Sequence, residues 1–226
     1  MDTKIILDFL KNLNANNTFI WMKDNKKNYE LAKKEFENLL QEVISGIYKF
    51  DNSIKICPPK ELMFKLNRDT RFSNDKSPYN PAFRAHISKN GKLPIPVGYF
   101  ISIRPGNSFL GGGLFAAMFN EATKSVREYI INNTNKFIEI IETKTFKENF
   151  AIEGEKLKKV PNGYDKDHKL AEYIKYKSWY IEYKIKDTVF LKPEEFIEKA
   201  LVMFKFIKPF NDFLNKALKD FKMPER

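Results

Sequence analysis

The segment Arg68-Asp69-Thr70-Arg71-Phe72-Ser73-Asn74-Asp75-Lys76-Ser77-Pro78-Tyr79 is the densest concentration of reactive side chains in the chain. It supplies three cations, two carboxylates, four hydroxyls (that of Tyr79 included) and the Phe72 ring within twelve residues. Arginine suits a fixed oxyanion because its planar fork donates two parallel hydrogen bonds. Arg68, Arg71, Lys76 and the Tyr79 hydroxyl are therefore candidate anion-binding groups, and Asp69 is a candidate acid or base. The same residues would equally suit a salt-bridged loop in which Asp69 and Asp75 hold the cations. Composition alone does not separate the two readings.

Two further segments carry chemistry. Gly111-Gly112-Gly113 reads as a turn leading into a helix from Leu114. Glycines let a backbone approach a ligand closely, and free N–H groups at a helix start attract anions. Asn107 or Ser108 would add a side-chain contact. The run matches neither a P-loop nor a dinucleotide GxGxxG pattern, and a plain tight turn explains it better than a cradle. Asp165-Lys166-Asp167-His168 places two carboxylates and an imidazole in one loop, with Asp167 and His168 as candidate acid or base. The plainer reading has Asp165 capping a turn or the next helix. His86 and His168 are the chain's two histidines, which excludes a multi-histidine metal centre. A carboxylate-held magnesium ion would leave little trace in sequence. No metal or cofactor is assigned.

Charge narrows the partner. The 226 residues carry a net charge of +11, and most of the excess is localised. Residues 60–105 hold nine Lys/Arg against three acids, and residues 155–192 hold ten Lys against six acids. A focused positive field favours an anionic small molecule, a nucleic acid or an acidic protein, although lysine-rich faces often only solvate a surface. Hydrophobic residues at 42% and charged residues at 31% exclude disorder. The longest uncharged stretch, Pro105 to Asn120, falls short of a membrane span, and Asp2, Lys4 and Asp8 exclude a secretory signal. One cysteine, Cys57, excludes an internal disulfide and reads as a small buried residue. The expectation is a soluble cytoplasmic protein.

The elements that must position these groups follow from periodicity. Ile5, Ile6, Phe9, Leu10 and Leu13 predict a helix over Thr3–Leu13, and a second apolar stripe predicts one from Asp24 to Tyr48. Pro58 and Pro59 exclude a helix there. Strands are predicted over Leu62–Asn67, Ala82–Ser88 and Pro94–Ile103, paired antiparallel because no connector is long and apolar enough for a crossover helix. Helices are expected from Leu114 to about Ile130, near Asn135–Glu142 and over Ala171–Trp179, with a strand at Trp179–Lys184. A Pro-initiated helix starts at Pro193 and is interrupted at Pro209. Trp21, Trp179 and most of the 21 Phe and 10 Tyr read as core. No RNP-type strand signature is found. The predicted fold is one α+β domain over 1–226, a mainly antiparallel sheet with packed helices at both chain ends.

Trp21-Met-Lys-Asp-Asn-Lys-Lys-Asn-Tyr29, the Arg68–Tyr79 string, Gly98-Tyr-Phe, Pro105-Gly-Asn-Ser-Phe-Leu-Gly-Gly-Gly-Leu114 and Pro161-Asn-Gly-Tyr-Asp-Lys-Asp-His168 stand in that order. From about Ile5 to Leu218 the chain resembles the bacterial and fungal DUF2461 family. The resemblance implies a single full-length, usually intracellular domain and brings no settled activity. It also implies that the three polar segments share a surface. The chain departs from the family at Ile101-Ser102-Ile103-Arg104, where a polar, often histidine-bearing strand is usual, and at Met22, which replaces an aromatic. The resulting expectation is a pocket for a phosphate-bearing small molecule or nucleotide. The alternative is a basic module, without chemistry, for nucleic acid or an acidic protein.

Overall fold

The computed structural model describes residues 1–224. Helix α1 (Thr3–Ala15) starts at Asp2, whose carboxylate accepts the N–H groups of Lys4 and Ile5. Its Ile6, Leu7, Leu10 and Leu13 are buried. The helix expected from Asp24 to Tyr48 is present from Lys26, and a further short helix that the sequence does not predict precedes it. Thr18 caps a short α2 (Phe19–Asp24), and Asn25 separates it from α3 (Lys26–Tyr48). The predicted stripe of α3 holds, with Ala32, Phe36, Leu39, Leu40, Val43 and Ile47 buried.

The middle of the chain corrects two expectations. Pro59 sits in the first turn of a four-residue helix, α4 (Pro59–Leu62), where its missing N–H costs nothing. No strand covers Leu62–Asn67. Met63 and Asn67 make single bridges, to Ala85 and Tyr79. Strands β1 (Phe83–Ile87), β2 (Tyr99–Ile103) and β3 (Ser108–Leu114) follow, then α5 (Asn120–Asn132), α6 (Thr134–Ile141), α7 (Lys144–Asn149) and β4 (Ile152–Glu153). The chain closes with α8 (Ala171–Ile174), β5 (Trp179–Ile185), α9 (Asp187–Phe190) and α10 (Pro193–Ala217). The five strands form one antiparallel sheet in the order β1-β2-β3-β5-β4, giving the expected α+β class.

Helices α3 and α10 pack on the sheet. Alternation puts Phe83, Ala85, Ile87, Tyr99, Ile101, Ile103, Leu110 and Leu114 in the core beneath them. Pro209 does not interrupt α10. A proline inside a helix costs about 3 kcal/mol. The buried Phe204, Ile207, Phe210, Phe213 and Leu214 around it offset that, at about 1.5–3 kcal/mol per fully buried large side chain. Among the described residues no helix is long and apolar enough to cross a membrane.

Candidate ligand site on the open sheet face

The three glycines lie inside β3, not at a helix start; the next helix begins at Asn120. A Cβ on Gly112 would sit 2.3 Å from Ile207 Cγ2 and 2.7 Å from Asn211 Oδ1, so this glycine admits α10 onto the sheet. A Cβ on Gly111 would meet Phe115 Cζ at 3.3 Å on the opposite face. Gly113 has φ +98°, a conformation side-chain-bearing residues rarely adopt. The run is a packing device on both faces of the sheet.

The Arg68–Tyr79 loop satisfies its own charges. Arg68 pairs with Asp75 and reaches Ser73 Oγ at 3.4 Å. Arg71 grips Asp69 with two arms, Nε to Oδ1 at 2.9 Å and Nη2 to Oδ2 at 2.6 Å. Lys76 Nζ donates to the Thr70 carbonyl at 3.0 Å. Hydrogen bonding from Arg71 holds the Asp69 carboxyl below its usual range, and the Ser77 hydroxyl and N–H, with Arg68, lower Asp75. Tyr79 is buried. Its backbone exchanges two hydrogen bonds with the Asn17 side chain, and its ring meets Phe19 at 5.8 Å.

The Asp165–His168 loop lies elsewhere. Asp165 Oδ1 accepts the Asp167 N–H at 2.9 Å, closing a turn. His168 Nδ1 accepts the Leu170 N–H at 3.1 Å, and Nε2 faces Thr134 Oγ1 on α6 at 3.4 Å. Among the described residues no hydrogen bond or ion pair joins this loop to the Arg68–Tyr79 loop, nor either loop to Gly111–Gly113.

The structure places a different group of residues together. On the sheet face turned away from α10, register aligns His86, Phe100, Gly111 and Glu182 in one cross-strand row. Arg84, Ser102, Phe109 and Lys184 form the next. With no side chain at Gly111, Phe115 folds onto the sheet and stacks on Tyr180 with ring centroids 4.4 Å apart. The ladder continues from Phe115 to Phe100 at 5.1 Å, then from Phe100 to Phe64 at 5.9 Å and to Phe109 at 5.8 Å. Cations border it. The Arg84 guanidinium lies 5.6 Å from the Phe64 ring centre, and Lys184 Nζ lies 5.0 Å from that of Phe109. Arg84 Nε is buried with no hydrogen-bond partner among the described residues.

A cavity of about 700 Å³ opens over this face, with His86, Phe100 and Phe115 in its wall and Lys65, Lys92 and Met118 around it. Both lysines and Met118 are exposed. His86 is 4% exposed, and burial pushes its pKa down to about 4, partly opposed by the backbone at Leu93 and Lys92. The imidazole is therefore neutral at pH 7. The outward alternation of Arg84 and His86, and of Phe100 and Ser102, is present in the sequence, but it identifies a shared face only once the strand register is known.

No curated protein and no solved structure matches the chain. A family model described as "Conserved hypothetical protein (DUF2461)" matches residues 5–213, nearly the full length. The chain belongs to that family.

Proposed function

We propose that the open sheet face binds a planar, phosphate-bearing small molecule of the nucleotide class. The observation that carries this reading is the aromatic ladder lying under a cavity with Lys65 and Lys92 at its edge. A flat ring gains about 1–3 kcal/mol from stacking on such side chains, and exposed lysines suit a phosphate that stays partly solvated. The cavity volume falls within the roughly 300–1,000 Å³ of small-molecule sites. Its wall offers a neutral imidazole and no carboxylate among the described residues, which favours binding over acid–base chemistry. Asp69, Asp167 and His168 keep acid or base roles in this reading only if a ligand extends to their loops. Anion binding through the Arg68–Tyr79 loop would require a ligand to displace Asp69 and Asp75. A cytoplasmic setting, as sequence implies, belongs to the same proposal.

A second reading, a platform for single-stranded nucleic acid, is favoured by Arg84 and Lys184, which extend the cation row along the sheet. Calorimetric titration of nucleoside phosphates and of short oligonucleotides, at low and high salt, tests both. The first reading expects mononucleotide binding that persists in salt and weakens about tenfold or more in Phe115→Ala and Lys92→Ala. It is wrong if mononucleotides do not bind at millimolar concentration, or if both variants bind as the parent does. Oligonucleotide binding that falls steeply with salt would put the platform in its place.

A further inference from the structure

The Arg68–Tyr79 loop plays no part in the sheet-face site, yet its internal bonding makes it a stiff projection. The two arginine–carboxylate pairs, the Lys76–Thr70 contact, the Asn67–Tyr79 bridge and the bond from Arg68 N–H to Pro78 O at 2.9 Å brace it along its length. What it presents is Phe72, 96% exposed, with the Arg71 guanidinium 5.8 Å from its ring centre. Beside the base of the loop, α2 buries none of its residues and leaves Phe19 and Ile20 at 69% and 75% exposure. Single exposed apolar residues are ordinary, but here three large ones are carried by two elements, α2 and the loop, that meet where Phe19 packs on Tyr79. Between loop base and α2 lies a groove of about 280 Å³, whose apolar walls include Phe19, Met22 and Tyr79 and whose charged groups are Lys23, Lys26 and Glu30. Neither lysine enters an ion pair among the described residues.

We infer that this surface docks an acidic segment of a partner protein, one large apolar side chain of which enters the groove while its carboxylates meet Lys23 and Lys26. A concave groove beside a projecting ring calls for a shaped partner, which a flat lipid surface is not. The two uncommitted cations outnumber the one carboxylate of the groove, Glu30, and so favour an acidic occupant. Aromatic and arginine side chains are the residues enriched at interfaces, and a loop already held in place loses little freedom on binding.

The test is selection of random twelve-residue peptides displayed on phage against the full chain, followed by synthesis of the enriched sequences. Enrichment of Asp and Glu around one Leu, Phe or Trp is expected. The synthetic peptides should bind about tenfold or more weakly to Phe72→Ala and to Lys23→Glu, both surface changes that leave the fold intact. Nucleotide binding at the sheet face should be unchanged in these variants, which keeps the two proposals separable. The inference is overturned if no peptide is enriched, if the enriched peptides lack acidic residues, or if both variants bind them as the parent does. Co-sedimentation with phosphatidylserine vesicles that depends on Phe72, with no peptide selected, would also overturn it in favour of a lipid surface.

Discussion

Gly112→Ala separates a packing role for the glycine run from a ligand-binding one. The added methyl would lie 2.3 Å from Ile207 Cγ2 and 2.7 Å from Asn211 Oδ1, whereas ordinary contact begins near 3.4 Å. Asn211 cannot swing away cheaply, because its amide donates to the Gly98 carbonyl at 2.9 Å in a buried setting. The helix must therefore shift outward. Overpacking of this kind costs about 1–3 kcal/mol. At about 2–4 °C per kcal/mol for a chain of this size, Tm should fall by roughly 2–12 °C in calorimetry. Ile207→Ala alone should also destabilise, by about 2–5 kcal/mol, since it leaves a hole in a fully buried site. Combined, the two changes should cost less than their sum by about 1 kcal/mol, because the methyl that clashes is the one removed. A Gly112→Ala protein that melts with the parent, or a double variant whose losses simply add, would refute the packing argument.

Other outcomes follow from the buried polar groups. His86 has a native pKa near 4 against an ordinary value of 6.5, so folding favours its neutral form. Its contribution is complete above pH 6.5 and is lost as pH falls towards 4. The loss reaches roughly 3 kcal/mol at about 1.4 kcal/mol per unit, and urea titrations at pH 7, 5 and 4 should show it flattened in His86→Gln. Tyr99 donates its hydroxyl to Asp51 Oδ2 at 2.7 Å, and the carboxylate is 8% exposed. Tyr99→Phe leaves that oxygen short of a partner and should cost about 1.5–3 kcal/mol; an unchanged denaturation midpoint would show that water replaces the bond.

What could be read from sequence depended on whether a signal was local. The stripes of α1, α3 and α10 repeat within one element, so the helices at both chain ends were legible. Helix α2 was not, because it buries nothing and so has no apolar stripe to show. Strand β3 was hidden because three of its seven residues, Gly111, Gly112 and Gly113, have no side chains to alternate. The charge-rich loop is visible in composition alone, but whether its cations face a ligand or each other depends on side-chain geometry. Sequence favoured neither reading. The sheet-face group leaves no local signal for a different reason: its members come from separated strands, and only the pairing aligns them.

The order of the sheet bears on how a chain can leave so much aromatic surface on one face. Exposed strands become hazardous when a long outer strand offers free amides to another molecule. Here β4, at one border, is two residues long, and at the other border β1 is bridged through Ala85 to Met63, with the Phe64 N–H donating to the Arg84 carbonyl at 2.9 Å. Strand β4 covers only Tyr180 and Ile181 of β5 and leaves residues 182–185 at that border, so the template offered there is four residues long. An uncovered aromatic face is thus combined with margins that present only short stretches of strand to another molecule.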